Sequence, residues 1–459
     1  MPAMKPFTYH PDPSTLEAIA EALRSVPRAA YSVPHDYPSS APAWRPAPMT
    51  ERERPAADQL RLYVHVPFCR YHCTFCYFAV RVGASPALMQ RYVRAVVNEL
   101  EWIEPGTPLS QLFVGGGTPT ALPPELLDEV LGALFARTTP HGRSVHTIET
   151  SPETISPEHI AVLERHGIGR VSMGVQSLDP GVLSTVHRDQ TMEQALAACD
   201  LLVGSGLILN IDLIYGLPGQ TEETFWRDIS ALVARGVPAF TLYSLRVNER
   251  TPVRRTLGEQ ERFDIARLMR WRAFVAHCAR ELGYTQTRWH TFKRMDSVAR
   301  RHERLPTFDG SMAGYQLGVG MSARSQLGYT IYRNHVRLDA YVDRIEAGQS
   351  PVEQLFPMAE ADRKTQFVVR SLGDGAPLPR DRYAATFGRA VDEDFGETIG
   401  RLLRGGLIID EGTHLSLSET GRLVHDLVAL AFYPDHARQW LAEREDRAAL
   451  VQRPAAPAA

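Results

Sequence analysis

Lysine is nearly absent from this chain of 459 residues: Lys5, Lys293 and Lys364 are the only three, and almost every cation is an arginine. Beside so many alanines and prolines, that bias reads as coding composition rather than as selection for phosphate contacts. The formal net charge is −3, so the chain lacks the basic field that nucleic-acid binding requires. No run approaches the ~18 apolar residues of a membrane span. Residues 1–50 also lack the basic start and apolar run of an export signal. Cysteine is scarce, five in all with three clustered, which is no disulfide framework; a cytoplasmic, reducing location is expected. With 44% hydrophobic and 22% charged residues the chain reads as globular, and its length calls for more than one core.

Residues 1–57 hold one short helical pattern, "PSTLEAIAEALRSV", and then a proline-rich run, "PHDYPSSAPAWRPAPM". From about residue 58, β-rich runs alternate with amphipathic helices: "LRLYVHVPF", "QLFVGGG", "VHTIETS", "GRVSMGVQS", "LNIDLIYGLP" and "AFTLYSLRV" each precede a helical pattern. Six such units imply parallel strands joined by right-handed crossovers. Cys69, Gly115 to Gly117, Glu149, Gln176 and Asp212 close different strands, and an α/β barrel gathers its site in that way. A doubly wound sheet would gather them at one switch point instead. The expected fold class is therefore α/β, a partial (β/α)6 barrel. Beyond about residue 360, helical patterns surround "LIIDEGTHLSLSETG", which reads as a hairpin, so a mostly helical, winged-helix-like domain is expected there. Residues 361–459 carry 13 Lys+Arg against 15 Asp+Glu, which speaks against DNA binding. The expected layout is an arm and linker over 1–57, the barrel with its connecting segment over 58–358, the C-terminal domain over 359–450 and a tail over 451–459.

Cys69, Cys73 and Cys76 are spaced C-x3-C-x2-C. Cys199 and Cys278 lie on apolar helical patterns and read as core. Thiolate metal centres normally take four protein ligands. Three without a fourth leave one iron of a [4Fe–4S] cluster open to a small molecule, the mark of a catalytic centre. A zinc site would favour a second C-x2-C pair, which the chain does not have.

"YVHVPFCRYHCTFC", followed by "GGGTPT", "SMGVQS" and "NIDLIYGLPGQT", resembles the radical S-adenosylmethionine (SAM) superfamily. More narrowly it resembles the oxygen-independent coproporphyrinogen III oxidase-like (HemN-like) branch, from about Leu62 to Phe432. The resemblance implies that Cys69, Cys73 and Cys76 hold the cluster and that SAM chelates its open iron. It further implies that Gly115, Gly116, Gly117 and Thr118 contact the methionyl end of SAM and that Tyr63 and Phe75 lie beside the nucleotides. Glu149, Gln176, Arg188 and Asp212 match positions that hold ribose, carboxylate or sulfonium groups. Gly318 and Gly320 match a G-x-G near a second SAM. An electron donor of flavodoxin or ferredoxin type and a small-molecule substrate are implied; nucleic-acid and membrane partners are not.

Several reactions share this scaffold. The oxidases carry a further cysteine two places after the third, where this chain has Phe78 after Tyr77, and they read "GVQD" where this chain has "GVQSLD". The haem chaperones of the family begin close to their cysteine motif, whereas 68 residues precede Cys69 here. These departures favour the family's methyltransferases and cyclopropanases. Those enzymes use a second SAM as methyl or methylene donor to an sp2 carbon. Residues 284–335 are expected to line the substrate side. His290, Arg324, Tyr329, Tyr332 and Arg333 are the candidates for substrate contact or proton transfer, and the family oxidases have an aliphatic residue in place of Arg324.

Overall fold

The computed structural model describes residues 4–26, 45–46, 60–142, 145–247, 251–255, 257, 264–297 and 314–450. Most of the proline-rich arm and the whole 451–459 tail lie outside the described residues. The chain divides into two units. The first comprises Met1–Lys5, Trp44–Tyr243 and Cys278–Pro357; the second comprises Pro6–Ala43, Ser244–His277 and Met358–Ala459.

In the first unit the expected alternation forms. Strands β1 (Leu60–Val66), β2 (Thr107–Gly116), β3 (Thr147–Thr150), β4 (Arg170–Gln176), β5 (Ile208–Tyr215) and β6 (Ala239–Ser244) lie side by side in that order. The ladders from β1 to β5 are parallel, with Tyr63 opposite Phe113, Glu149 opposite Ser172 and Gly174 opposite Asp212. β1 is buried along nearly its whole length, as expected of a parallel strand covered on both faces. Helices cover the sheet, and their starts follow simple cap chemistry. Ser85 and Ser156 each accept a backbone N–H while proline takes the first helical turn (Pro86–Leu100, Pro157–Arg165), and Thr191 and Thr221 form capping boxes.

Among the described residues the sheet does not close. Beyond β6 runs a short antiparallel strand, β7 (Thr291–Lys293). Beyond β1, in parallel, runs β8 (Gly314–Val319), which leads into an antiparallel meander of β9 (Arg324–Gly328), β10 (Thr330–Asn334) and β11 (Val352–Pro357). This is the partial barrel expected from the alternation. One buried carboxylate fixes the meander to it. Glu99, 1% exposed on the inner face of helix Pro86–Leu100, accepts hydrogen bonds from Gly320 N (2.7 Å), Asn334 Nδ2 (2.9 Å) and Tyr341 Oη (2.7 Å). On the same face Tyr92 Oη donates to the His65 carbonyl at 2.6 Å and accepts from Met321 N at 3.1 Å.

The second unit is mostly helical. It contains helices Glu360–Leu372, Arg380–Phe387, Val391–Arg404 and His425–Ala431, and the expected hairpin forms between β12 (Ile408–Asp410) and β13 (His414–Leu417). The N-terminal helix Pro13–Ala22, read from sequence as part of an arm, belongs to this unit. Arg401 Nη2 donates to Ser25 Oγ at 3.1 Å, and a Cβ on Gly405 would lie 2.6 Å from Ala22 Cβ. At the centre of the unit, the Arg272 guanidinium pairs with both oxygens of Asp426 at 2.9 and 2.8 Å and donates to the Leu423 carbonyl at 2.8 Å. Both residues are buried. Asp426→Ala would leave a buried cation without its counter-charge, at a cost of about 3–5 kcal/mol. A urea titration of this variant should show the loss as a lowered midpoint.

Candidate active site

Parallel strands deliver their C-terminal ends to one rim, and the expected site residues collect there. Cys69 ends a two-residue strand, Phe68–Cys69, that pairs in parallel with Arg81–Val82. The loop between these segments carries the other two thiols and is tied down inside. Cys76 N donates to the Cys73 carbonyl (3.0 Å), Thr74 N to Val186 (3.0 Å) and Arg81 N to Pro67 (2.8 Å). Phe75 sits half-buried between Cys73 and Cys76. All three thiols are free. Cys69 Sγ lies 3.7 Å from Thr118 Oγ1, and Arg188 Nη1 lies 3.6 Å from Cys73 Sγ. Arg188 also donates to the Gly174 carbonyl, and its guanidinium lies 5.7 Å from the Tyr71 ring centroid.

Burial pushes the Cys69 thiol up to about 11 and the Cys76 thiol up to about 12, and it raises Cys73 as well. The bare site therefore favours thiols over thiolates, and a bound cation must displace the protons. Cys199 and Cys278 are 0% exposed, as expected of core residues, and so offer no fourth ligand. Three thiols on one loop, within electrostatic reach of one another and with no fourth cysteine beside them, have the chemistry of a [4Fe–4S] cluster that leaves one iron for an exchangeable ligand.

The glycine stretch is demanded first by the protein's own packing. A Cβ on Gly115 would lie 2.6 Å from Glu149 Oε2, and one on Gly117 would lie 2.7 Å from the Pro67 carbonyl. Gly116 has φ +117°, and a Cβ there would lie 2.6 Å from His65 Cε1. The exposed edge of this backbone is held by Glu149 Oε2, which accepts from Gly116 N at 3.0 Å. Gly318 and Gly320 have the same kind of explanation. A Cβ on Gly318 would lie 2.3 Å from the Arg324 carbonyl oxygen, and one on Gly320 would lie 2.6 Å from both the His65 carbonyl oxygen and Tyr92 Oη.

Sequence reading missed His65. It is buried, its Nε2 lies 3.1 Å from the Ala79 carbonyl and its Nδ1 lies 3.0 Å from Tyr63 Oη. Because a carbonyl only accepts, Nε2 carries the proton and Nδ1 accepts from the tyrosine. Burial lowers this histidine to about 4, so it is neutral at physiological pH. It links Tyr63, which stacks on Phe113, to the segment after Cys76. The only signal in the sequence was the period-2 spacing of Tyr63 and His65 along one strand face.

Gln176 stands apart. It is a non-glycine residue at φ +70°, next to a register shift between Gly174 and Gln176, and its buried Oε1 has no hydrogen-bond partner among the described residues. A strained backbone and an unsatisfied amide oxygen at a rim are features expected where a ligand completes the structure. On the adjacent strand Asp212 accepts from Ser172 Oγ (3.2 Å) and Asn210 Nδ2 (2.7 Å). Burial pushes its carboxyl up to about 6, despite Arg170 and these donors.

The five expected substrate residues do not form one cluster. Arg324 and Arg333 are register partners across β9 and β10, so they share a face, while Ser325 and Tyr332 share the other. Arg333 pairs with Glu353 at 3.7 Å, and Tyr332 packs with Leu327 and Val352. Tyr329 sits at the far turn of the hairpin, 41% exposed. His290 lies on the opposite edge of the sheet, 4.9 Å from the Tyr243 ring.

Comparison with known proteins agrees with this geometry. Residues 63–232 match the Radical SAM superfamily and residues 375–424 match the HemN C-terminal domain. The chain is 27% identical to an oxygen-independent coproporphyrinogen III oxidase of Bradyrhizobium diazoefficiens, across 83% of this chain and 88% of the relative. It is 30% identical to a heme chaperone, HemW, of Mycobacterium tuberculosis, across 80% of this chain and 93% of the relative. The solved structure of coproporphyrinogen III oxidase from Escherichia coli superposes with a TM-score of 0.72 at 23% identity, covering 82% of this chain and 91% of that one. These names are those of oxidases and haem chaperones, and none lends support to the expected methyl or methylene transfer.

Replacing Gly116 by alanine should drive a methyl group into the His65 ring and disturb the loop that the ring anchors. Iron content per chain after anaerobic reconstitution should fall at least about twofold, whereas Gly204→Ala, with nothing within 4 Å of its added Cβ, should leave it unchanged.

Proposed function

The chain belongs to the HemN-like branch of the radical SAM superfamily, with a [4Fe–4S] cluster and SAM as its cofactors, and from that premise we propose that it oxidatively decarboxylates a reduced tetrapyrrole. The observation that supports this reading is the likeness to enzymes named for it, which narrows the choice to oxidase or haem chaperone. It runs through barrel and C-terminal domain alike in relatives named for coproporphyrinogen oxidation, over 83% of this chain in the Bradyrhizobium protein. When bound together, the cluster and SAM would supply a 5′-deoxyadenosyl radical that removes one hydrogen atom from the substrate, and loss of CO2 would then require one further electron to pass to a one-electron acceptor.

The residues of this chain would supply position, charge and dryness. Cys69, Cys73 and Cys76 would hold the cluster, with Thr118 and Arg188 against two of the sulfurs. Gly115 to Gly117 would present backbone edge to SAM, and Glu149 fixes that edge through Gly116 N. Tyr63 and Phe75 would flank the nucleotide, and the free oxygen of Gln176 would accept a hydrogen bond from it. Asp212, on the neighbouring strand, would face the cationic sulfonium. The expected layout from arm to tail stays part of this proposal, save that the arm's Pro13–Ala22 helix belongs to the second unit; so do the substrate roles of His290, Arg324, Tyr329, Tyr332 and Arg333.

A second reading, methyl or methylene transfer from a second SAM near Gly318 and Gly320, is favoured by one feature: Tyr77 and Phe78 follow Cys76 where the oxidases carry another cysteine. One assay separates the readings. Anaerobically reconstituted protein, given reductant, SAM and coproporphyrinogen, should yield 5′-deoxyadenosine together with CO2 from a propionate. S-Adenosylhomocysteine without CO2 would replace the first reading by the second. Stoichiometric haem binding with no SAM cleavage would sink both in favour of a chaperone.

The pH dependence of SAM binding provides a further check. Asp212 is largely neutral below its value of about 6 and ionised above it. A carboxylate facing a sulfonium should therefore make SAM bind more tightly as the pH rises from about 5 to about 7. Equilibrium dialysis with Asp212→Asn should show that slope flattened and neutral-pH affinity lowered by about tenfold.

A further inference from the structure

The forty residues from 59 to 98 contain no aspartate or glutamate, yet they carry Arg61, Arg70, Arg81, Arg91 and Arg94, within a chain whose net charge is −3. Arg61 is buried, and Arg91 is engaged by Asp343 and Glu346. Arg70 and Arg81 remain exposed on the cysteine loop and have no ion-pair partner among the described residues. Their setting is apolar. Phe78 is 54% exposed and stacked on Tyr77 with ring centroids 4.7 Å apart, and Val82 is 39% exposed. The Phe68–Cys69 and Arg81–Val82 strands pair Phe68 with Arg81 and Cys69 with Val82. The Arg81–Val82 strand therefore lies one strand spacing, about 4.8 Å, from the backbone of the strand that ends in the first cysteine of the motif.

We propose that this lip, formed by Arg70, Phe78, Arg81 and Val82, docks the carboxylate-rich face of a small acidic one-electron carrier protein. The inference rests on the cluster reading and adds the surface through which the electron arrives. Each docking passes one electron from the reduced carrier to the bound cluster; the carrier is oxidised by one electron, and no bond or proton changes hands. Two uncompensated guanidiniums steer an acidic partner and penalise a basic one, while exposed apolar side chains give the contact a core that can exclude water. A short path from lip to cysteine strand suits electron transfer. An anionic substrate, in contrast, would call for an enclosed site rather than an open rim.

The test uses the full chain with its cluster reconstituted, and flavodoxin as the probe. Arg70→Glu/Arg81→Glu is compared with the wild type and with the milder Arg70→Gln/Arg81→Gln, with iron content confirming an intact fold. The affinity for oxidised flavodoxin, measured by titration calorimetry, should fall at least about tenfold in the reversal variant and less in the neutral one; wild-type affinity should weaken with added salt. Cluster reduction by flavodoxin hydroquinone should slow in the same order, while SAM cleavage driven by reduced methyl viologen should not be lowered. Unchanged flavodoxin affinity in the reversal variant, or no wild-type affinity at all, overturns the proposal. So does a parallel loss of viologen-driven cleavage, which would assign the arginines to the substrate site. A wild type that binds flavodoxin in this salt-dependent way yet cleaves no SAM would sink the enzymatic reading and leave the docking surface standing.

Discussion

The Pro67–Val82 loop is closed at its neck, and the chemistry of the site depends on that closure. Three thiols can share one cluster only if the backbone between them is fixed beforehand, because ordering each free residue costs about 1–2 kcal/mol. The neck is fixed several times over. Arg81 N reaches the Pro67 carbonyl, Thr118 N reaches the Phe68 carbonyl at 2.7 Å, and His65 reaches across to Ala79 at 3.1 Å. Gly116 and Gly117 lack side chains because β1, its histidine and the neck occupy the space. What looks in sequence like a ligand-binding glycine run is thus also the packing that holds the cysteines in place.

Much of this arrangement was legible in the sequence. Parallel strands write themselves as short apolar runs, and capped, proline-started helices mark the intervals between them, so the order of the six strands followed from local chemistry. The three thiols and the rim carboxylates fell into place because strand ends in such a sheet share one side. Less legible were contacts between residues far apart in the chain. Glu99 reads as one more charge in "VVNELEWI"; only the arrival of Gly320, Asn334 and Tyr341 makes it a buried anchor. The Pro13–Ala22 helix reads as an arm because nothing nearby in sequence covers it, yet Arg401 and Gly405 do. The substrate residues scattered because hairpin register, which composition does not specify, decides which side chains share a face.

The oxidase-like and chaperone-like relatives share both the barrel and the C-terminal domain, so those shared parts do not by themselves select a reaction. Selection must come from side chains outside the cluster machinery. The register pair Arg324 and Arg333 is the clearest departure, because two guanidiniums directly across a ladder repel each other unless anions lie nearby. Glu353, at 3.7 Å from Arg333, is one such anion.

The rim also divides its charge. Under the proposed reading Glu149 and Asp212 would face the sulfonium, while on the outer loop stand arginines without acidic neighbours in the forty-residue segment. A cationic cofactor and an anionic electron carrier would thus meet fields of opposite sign around one set of thiols. Since burial holds those thiols still further above neutrality than an ordinary thiol, the cluster's cationic irons are needed to hold them as thiolates. Loading the cluster and ionising its ligands are then a single event, and only the loaded loop would have a use for the electron that the outer face is charged to attract.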